Sequence, residues 1–162
     1  MKKPIKTGRN PSLERDSRYH RRFALLAAQQ AEKVLPLFER ERPRDGRPRR
    51  AIEAIQAWTQ CKRPLGMAEV RKLSLDAHAA ARAAKSDAAR FAARAAGHAV
   101  ATWHVPTHAM AVPIYACKAI LASRAAPAAA HAIQTAQPGS VPTIPPRRTC
   151  RPGGSPRSRS PS

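Results

Sequence analysis

Histidines are the side chains of this sequence with the clearest capacity for chemistry. His98, His104 and His108 lie close together, and the last two are four residues apart, a spacing that can hold a metal ion when both lie on one helical face. Pro106 falls between them, and no Glu follows His104 as the HExxH zinc-protease pattern requires. No carboxylate follows Asp87. We predict no metal, cofactor or catalytic site, and we expect a histidine cluster that is structural or partner-binding.

A second group of charged residues surrounds a predicted turn at residues 43–47. Two glutamates end one predicted helix and three arginines begin the next, so each set opposes its own helix dipole. Facing each other across a short hairpin, these residues would form surface ion pairs. The alternative is an exposed loop that meets a charged partner, with Asp45, Arg47 and Arg49 as contact residues.

Five amphipathic helices are expected to position these side chains. In each segment apolar residues recur at alternating steps of three and four. The predicted helices begin near Tyr19, Pro48, Met67, Asp87 and His108, and the last ends near Ser123. His78 falls on the inner face of the third helix. The predicted core faces include Tyr19, Phe23 and Leu26 on the first helix, Ile52, Ile55 and Trp58 on the second, and Met110, Ile114, Cys117 and Leu121 on the fifth.

Short connections between helices favour antiparallel neighbours. We therefore predict an all-α fold, an alanine-rich antiparallel helical bundle of about five helices over residues 18–123. Trp58 and Trp103 are expected to anchor its core, and Gly97 to allow a close approach by a neighbouring helix. Residues 1–17 are predicted to be a disordered basic segment, and residues 124–162 a low-complexity basic Pro/Ser/Arg tail.

Charge gives an alternative function. The chain has 162 residues and a net charge of +20. Residues 1–22 carry eight Lys/Arg and two acids, and residues 123–162 carry six Lys/Arg and no acid. These ends are either solvated tails or the nonspecific DNA- or RNA-binding segments of a nucleic-acid-associated protein.

Cysteines and apolar stretches bear on the compartment. Cys61, Cys117 and Cys150 are odd in number and lack CxxC spacing, so neither a zinc module nor a disulfide framework is predicted. The longest stretch without formal charge, between Arg94 and Lys118, contains histidines and prolines and is not predicted to span a membrane. No apolar run follows the basic start as in an export signal. We expect a cytoplasmic protein without membrane contact.

Four segments, in this order, carry a family resemblance. They are AEKVLPLFE (31–39), DGRPRRAIEA (45–54), AHAAAR (77–82) and AAGHAVATWHVPTHA (95–109). Together they resemble a family of small helical bacterial immunity proteins from polymorphic toxin systems, over about residues 20–122. The family runs on into a further helical segment with Trp and Leu-Pro elements, whereas residues 124–162 here are basic and Pro-rich.

The resemblance implies a protein that is not an enzyme and that binds and neutralises a cognate toxin. It implies partner-binding candidates at the family's pattern positions, which are Asp45, Arg47, Pro48, His78, His98, His104 and His108.

Overall fold

The structure is a computed structural model that describes residues 17–135, and it confirms the all-α prediction. Five helices follow one another along the described chain, and no strand occurs among those residues. Their bounds are α1 Arg18–Glu41, α2 Arg47–Thr59, α3 Met67–Ala83, α4 Asp87–Ala101 and α5 His108–Thr135. Nearly all of the predicted segment 1–17, and residues 136–162 of the predicted tail, lie outside the described range.

Local sequence signals account for the helix starts. Ser17 and Ser86 accept hydrogen bonds from the backbone N–H groups of His20 and Ala89, which caps α1 and α4. Pro48 lies in the first turn of α2, where its missing N–H leaves no bond unmade. The predicted end of the fifth helix at Ser123 was too early. α5 continues to Thr135, since six of the twelve residues beyond Ser123 are alanine, the strongest helix former.

α4 is the centre of the bundle, since it packs against all four other helices. Its buried positions are almost all alanine, together with Gly97 and Val100. Side chains this small let neighbouring helices approach closely from several directions. Trp58 and Trp103 are buried, as predicted, and so are Ile52 and Ile55 of α2.

The predicted core face of α5 was wrong. That of α1, which ran on from Leu26 through Gln30 and Val34 to Leu37, was wrong in its first half, but Val34 is buried and Leu37 packs against the core. Tyr19, Phe23 and Leu26 are 46–49% exposed, and Met110, Ile114 and Leu121 are 56–73% exposed. The buried stripe of α1 lies beside the predicted one and consists mainly of small residues: His20, Ala24, Ala27, Ala28, Ala31, Val34, Leu35 and Phe38. The buried residues of α5 up to residue 125 are Val112, Ala116 and Ala119. In the first half of α1 and in α5, close packing selects the small face of the helix and leaves the larger side chains outside, whereas Leu35 and Phe38 are buried near the end of α1.

In the part of the chain that the structure describes, no helix is both long enough and apolar enough to cross a membrane. Cys61 and Cys117 are exposed free thiols.

Candidate functional site

The four predicted histidines converge where α3, α4 and α5 meet. His78 lies on α3, His98 on α4 and His108 at the start of α5, and His104 lies in the connection between α4 and α5. All four line one cavity of about 300 Å³, together with Arg71, Ser74, Leu75 and Ala101. We call this group of four imidazoles the histidine corner.

His98 is the central ring of the histidine corner. Its Nδ1 lies 3.3 Å from Nδ1 of His108, so one of the two imidazoles donates a hydrogen bond to the other. The His78 ring meets it edge-on, with the centroids 5.1 Å apart. On the α5 side Tyr115 stacks on it at 5.1 Å, and the two rings are nearly parallel. The corner therefore ties three helices together through aromatic contacts.

Gly97 makes room for the corner. A Cβ atom at this position would lie 2.8 Å from Cε1 of His78 and 3.0 Å from its Nε2. The Gly97 carbonyl also accepts a hydrogen bond from the Ser74 hydroxyl of α3, at 3.1 Å. The prediction that Gly97 permits a close approach between helices is confirmed, and the approaching group is a histidine ring.

Burial sets the protonation of these rings. Desolvation, with contributions from His78, His108 and Arg94, lowers the pKa of His98 to about 4. Desolvation and the nearby Arg94 and Arg82 lower the pKa of His78, and burial lowers that of His108. These three imidazoles are therefore neutral near neutral pH. Nδ1 of His78 is buried and has no hydrogen-bond partner among the described residues.

Neutral imidazoles suit metal ligation, but a metal ion also needs several ligands that converge on one point. Among the described residues, no three His, Cys, Asp or Glu side chains converge in a geometry that could hold an ion. The nitrogens of His98 and His108 instead face each other as donor and acceptor. The arrangement is that of a packed, partly hydrogen-bonded cluster beside an open cavity.

The loop residues predicted as partner contacts are engaged within the fold. Asp45 accepts three hydrogen bonds from Arg47, one from its backbone N–H at 3.3 Å and two from its guanidinium at 2.6 and 2.8 Å. These bonds from Arg47 hold the pKa of Asp45 below its ordinary value. Arg49 donates two hydrogen bonds to Glu39 across the turn, as the ion-pair interpretation expected. Pro48 is fully buried, so it packs α2 and offers no surface to a partner.

Two polar residues hold the helices in place: His20, which sequence reasoning missed, and Glu41, which it placed in the ion pairs across the turn. His20 is 1% exposed, and its Nε2 lies 2.7 Å from the Thr102 carbonyl oxygen at the end of α4. Glu41 reaches the connection before α4, where its carboxylate accepts bonds from the backbone N–H of Lys85 and from Ser86. Burial opposes its charge, but these bonds outweigh burial and lower the pKa of Glu41. The signal for His20 was its place on the small-residue stripe of α1.

The histidine corner and the turn are separate features. None of the loop residues Asp45, Arg47, Pro48 and Arg49 lines the histidine cavity, whose walls come from α3, α4, the following connection and α5. Among the predicted contact residues, the structure therefore brings the four histidines together. The loop residues form ion pairs elsewhere, Arg47 with Asp45 and Arg49 with Glu39.

Comparison with known proteins gives one match. Nothing among the curated proteins or the solved structures matches the chain. The family described as "Imm-5 like putative immunity protein" matches residues 14–140. This range contains all five helices, the histidine corner and the Asp45–Arg49 turn, and it extends beyond residues 20–122, where the resemblance was recognised. The chain therefore belongs to the Imm-5 like family of putative immunity proteins.

Proposed function

We propose that this protein binds a cognate bacterial toxin and neutralises it by occlusion, without catalysing a reaction of its own. The observation that carries the proposal is the family match, which spans the whole helical bundle. On this proposal the five-helix bundle, rather than the basic ends, carries the activity. We expect it to act in the cytoplasm, where a toxin would otherwise reach its target.

Co-expression tests this function. The full chain is expressed with the product of a neighbouring toxin gene, and growth is compared with cells that carry the toxin alone or the toxin with an unrelated helical protein. Restored growth only with this chain, together with a 1:1 complex of the purified proteins in calorimetry, is the expected result. Unchanged killing and no measurable heat of binding would refute the proposal.

Nonspecific nucleic-acid binding through the basic ends remains the second candidate, because the chain carries a net charge of +20. It predicts that affinity for duplex DNA falls steeply as salt rises. Fluorescence anisotropy on the full chain at low and physiological salt separates the two functions. DNA affinity that persists at physiological salt, without any toxin complex, would favour the second.

Partner contact by His78, His98, His104, His108, Asp45, Arg47 and Arg49 stays a prediction. His104→Ala and Arg49→Ala test the two regions separately in the same rescue assay. A loss of rescue with unchanged thermal stability would assign contact to that region. A loss of both rescue and stability would assign the residue to the fold.

A further inference from the structure

The groove between α1 and α5 is an apolar surface that the fold does not fill. Its volume is about 510 Å³, and its walls are Phe23, Leu26, Ala27, Gln30, Ala109, Met110 and Pro113. No wall residue carries a charge. Phe23 and Leu26 are 46% and 49% exposed, and Met110 is 73% exposed. Large apolar side chains from two helices therefore meet at one open concavity.

The apolar surface continues from the groove along the outside of α5. Ile114 and Leu121 are 56% and 65% exposed. With Met110 they recur at steps of four and seven residues, which places them on one line along the helix. Exposed apolar patches of this extent on a folded protein mark interaction sites.

The charges around the groove are all of one sign. Arg22 precedes Leu26 by four residues and Lys33 follows it by seven, so both flank the same side of α1, and both are exposed. On α5, Arg124 is exposed and follows Leu121 by three residues, whereas the Lys118 ammonium lies over the rings of Phe91 and Tyr115 beside α4. α1 contains no Asp or Glu before Glu32, and α5 contains none at all.

This charge pattern selects among occupants. A second copy of the chain would bring the same cations against Arg22 and Lys33. Residues 123–162 of the chain itself carry six Lys/Arg and no acid, so they meet the same repulsion. A partner whose apolar contact surface is bordered by carboxylates would instead gain from every rim charge.

We propose that the α1–α5 groove is the docking surface for the toxin, and that the toxin fills it with an apolar segment flanked by Asp or Glu. This inference rests on the proposed function and names its contact surface. The groove takes the apolar anchor, and Arg22 and Lys33 pair with the acidic border. Anchors of this kind carry most of the binding energy of an interface.

Leu26→Glu tests the groove, and Leu75→Glu is its matched control. Leu75 is also an exposed leucine. It lies on α3, is 65% exposed and lines the histidine cavity instead of the groove. The probe is the purified product of the neighbouring toxin gene, and affinity for the full-length variants is measured by calorimetry. We expect Leu26→Glu to weaken binding roughly tenfold or more beyond any effect of Leu75→Glu, since it places a carboxylate in the wall of the apolar groove and opposite an acidic border.

The rim charges give a second readout that a purely apolar contact would not move. Arg22→Glu should also weaken binding, and the wild-type affinity should fall as salt rises. Circular dichroism melts of each variant establish that the bundle is intact. Sedimentation of the wild-type chain alone establishes whether a second copy occupies the groove.

The outcomes distinguish a failure of the proposed function from a failure of the proposed docking surface. No toxin binding by the wild-type chain removes the proposed function and the docking surface with it. Wild-type binding that Leu26→Glu weakens no more than Leu75→Glu overturns the docking surface alone, and a larger effect of Leu75→Glu moves the contact to the histidine corner. A wild-type dimer that Leu26→Glu dissociates assigns the groove to a second copy and also overturns the inference.

Discussion

The centre of this bundle buries small side chains, whereas its α1–α5 surface exposes large apolar ones. α4 buries a nearly continuous set of alanines, together with a glycine and a valine. On α1 and α5, phenylalanine, leucine, isoleucine and methionine side chains stand 46–73% exposed while alanines beside them are buried. The difference shows that close approach through small residues holds α4 against its neighbours, while large buried residues such as Phe38, Ile55 and Trp58 pack elsewhere in the core. Large apolar side chains outside such a centre are then available for another molecule.

The largest expected effect comes from enlarging a residue at the centre. Ala96→Leu places a larger side chain where α4 is 0% exposed, and overpacking of this kind costs about 1–3 kcal/mol. Thermal melts by circular dichroism measure the loss. Ala68→Leu on the exposed surface of α3 is the control and should change stability little. Equal melting temperatures for the two variants would show that the centre is loosely packed.

A matched pair on α5 tests the comparison within one helix. Val112 is 0% exposed and Met110 is 73% exposed, although methionine is the larger side chain. Val112→Ala should cost about 2 kcal/mol of unfolding free energy, because it removes buried methyl groups and leaves a cavity. Met110→Ala should stay within about 0.5 kcal/mol of the wild type, as surface substitutions do. Urea denaturation at equal m-values compares them, and the reverse order of costs would contradict the fold of α5.

The two helix faces also show what periodicity can and cannot predict. Spacing predicted that α1 and α5 are amphipathic, and it was right about the existence of all five helices. It placed Phe23 and Met110 in the core because large apolar residues usually lie there. In α2, where Ile52, Ile55 and Trp58 are buried, the same argument succeeded. The buried face of a helix depends on the size of the side chains that face it from the neighbouring helix. The sequence of one helix does not contain this information.

The candidate site, like the buried helix faces, could be predicted from the sequence only in part. Sequence spacing brought His98, His104 and His108 together, and the helix face added His78. The stacking of His98 on Tyr115 and the role of Gly97 depend on distances between helices, which sequence does not specify. The pairing of Arg49 with Glu39 across the turn was predicted correctly. The pairing of Asp45 with Arg47 was not predicted, because it depends on the local path of the backbone. No local pattern could have paired Glu41 with Lys85 and Ser86, which lie 44 and 45 positions further along the chain.

Gly97 offers a test in which two effects of similar size oppose each other. Alanine is about 1 kcal/mol better than glycine within a helix. At this position, however, its Cβ would lie 2.8 Å from Cε1 of His78, and that ring is held against His98. We expect Gly97→Ala to destabilise the bundle by about 1 kcal/mol net, since displacing a packed ring exceeds the helical gain.

Gly66→Ala is the control for this substitution, because nothing lies within 4 Å of a Cβ there. Imidazole chemical shifts in NMR spectra give the second readout. They should change for His78 and His98 in Gly97→Ala and stay constant in Gly66→Ala. A stabilised Gly97→Ala variant with unchanged imidazole shifts would mean that α3 and α4 lie further apart than the structure shows.

The smallest expected effect is a pH dependence that arises in the histidine corner and not in the α1–α5 groove. Burial holds the pKa of His98 at about 4, below its ordinary 6.5, and lowers those of His78 and His108. The unfolded chain therefore binds protons before the folded chain as pH falls below 6.5, so stability is lost progressively from there towards pH 4. Arg94, and Arg82 near His78, oppose protonation further.

Melting temperatures between about pH 6.5 and about pH 5 isolate this contribution, because Asp45 and Glu41 have lowered pKa values and lose their charge only below that window. The wild-type melting temperature should fall by a few degrees over the window, and His98→Gln should show a shallower fall. Leu26→Glu, on the groove, should keep the wild-type slope over most of the window. If His98→Gln and the wild type lose stability equally, the corner is solvated well enough to accept protons in the folded state, and its difference from the open groove disappears.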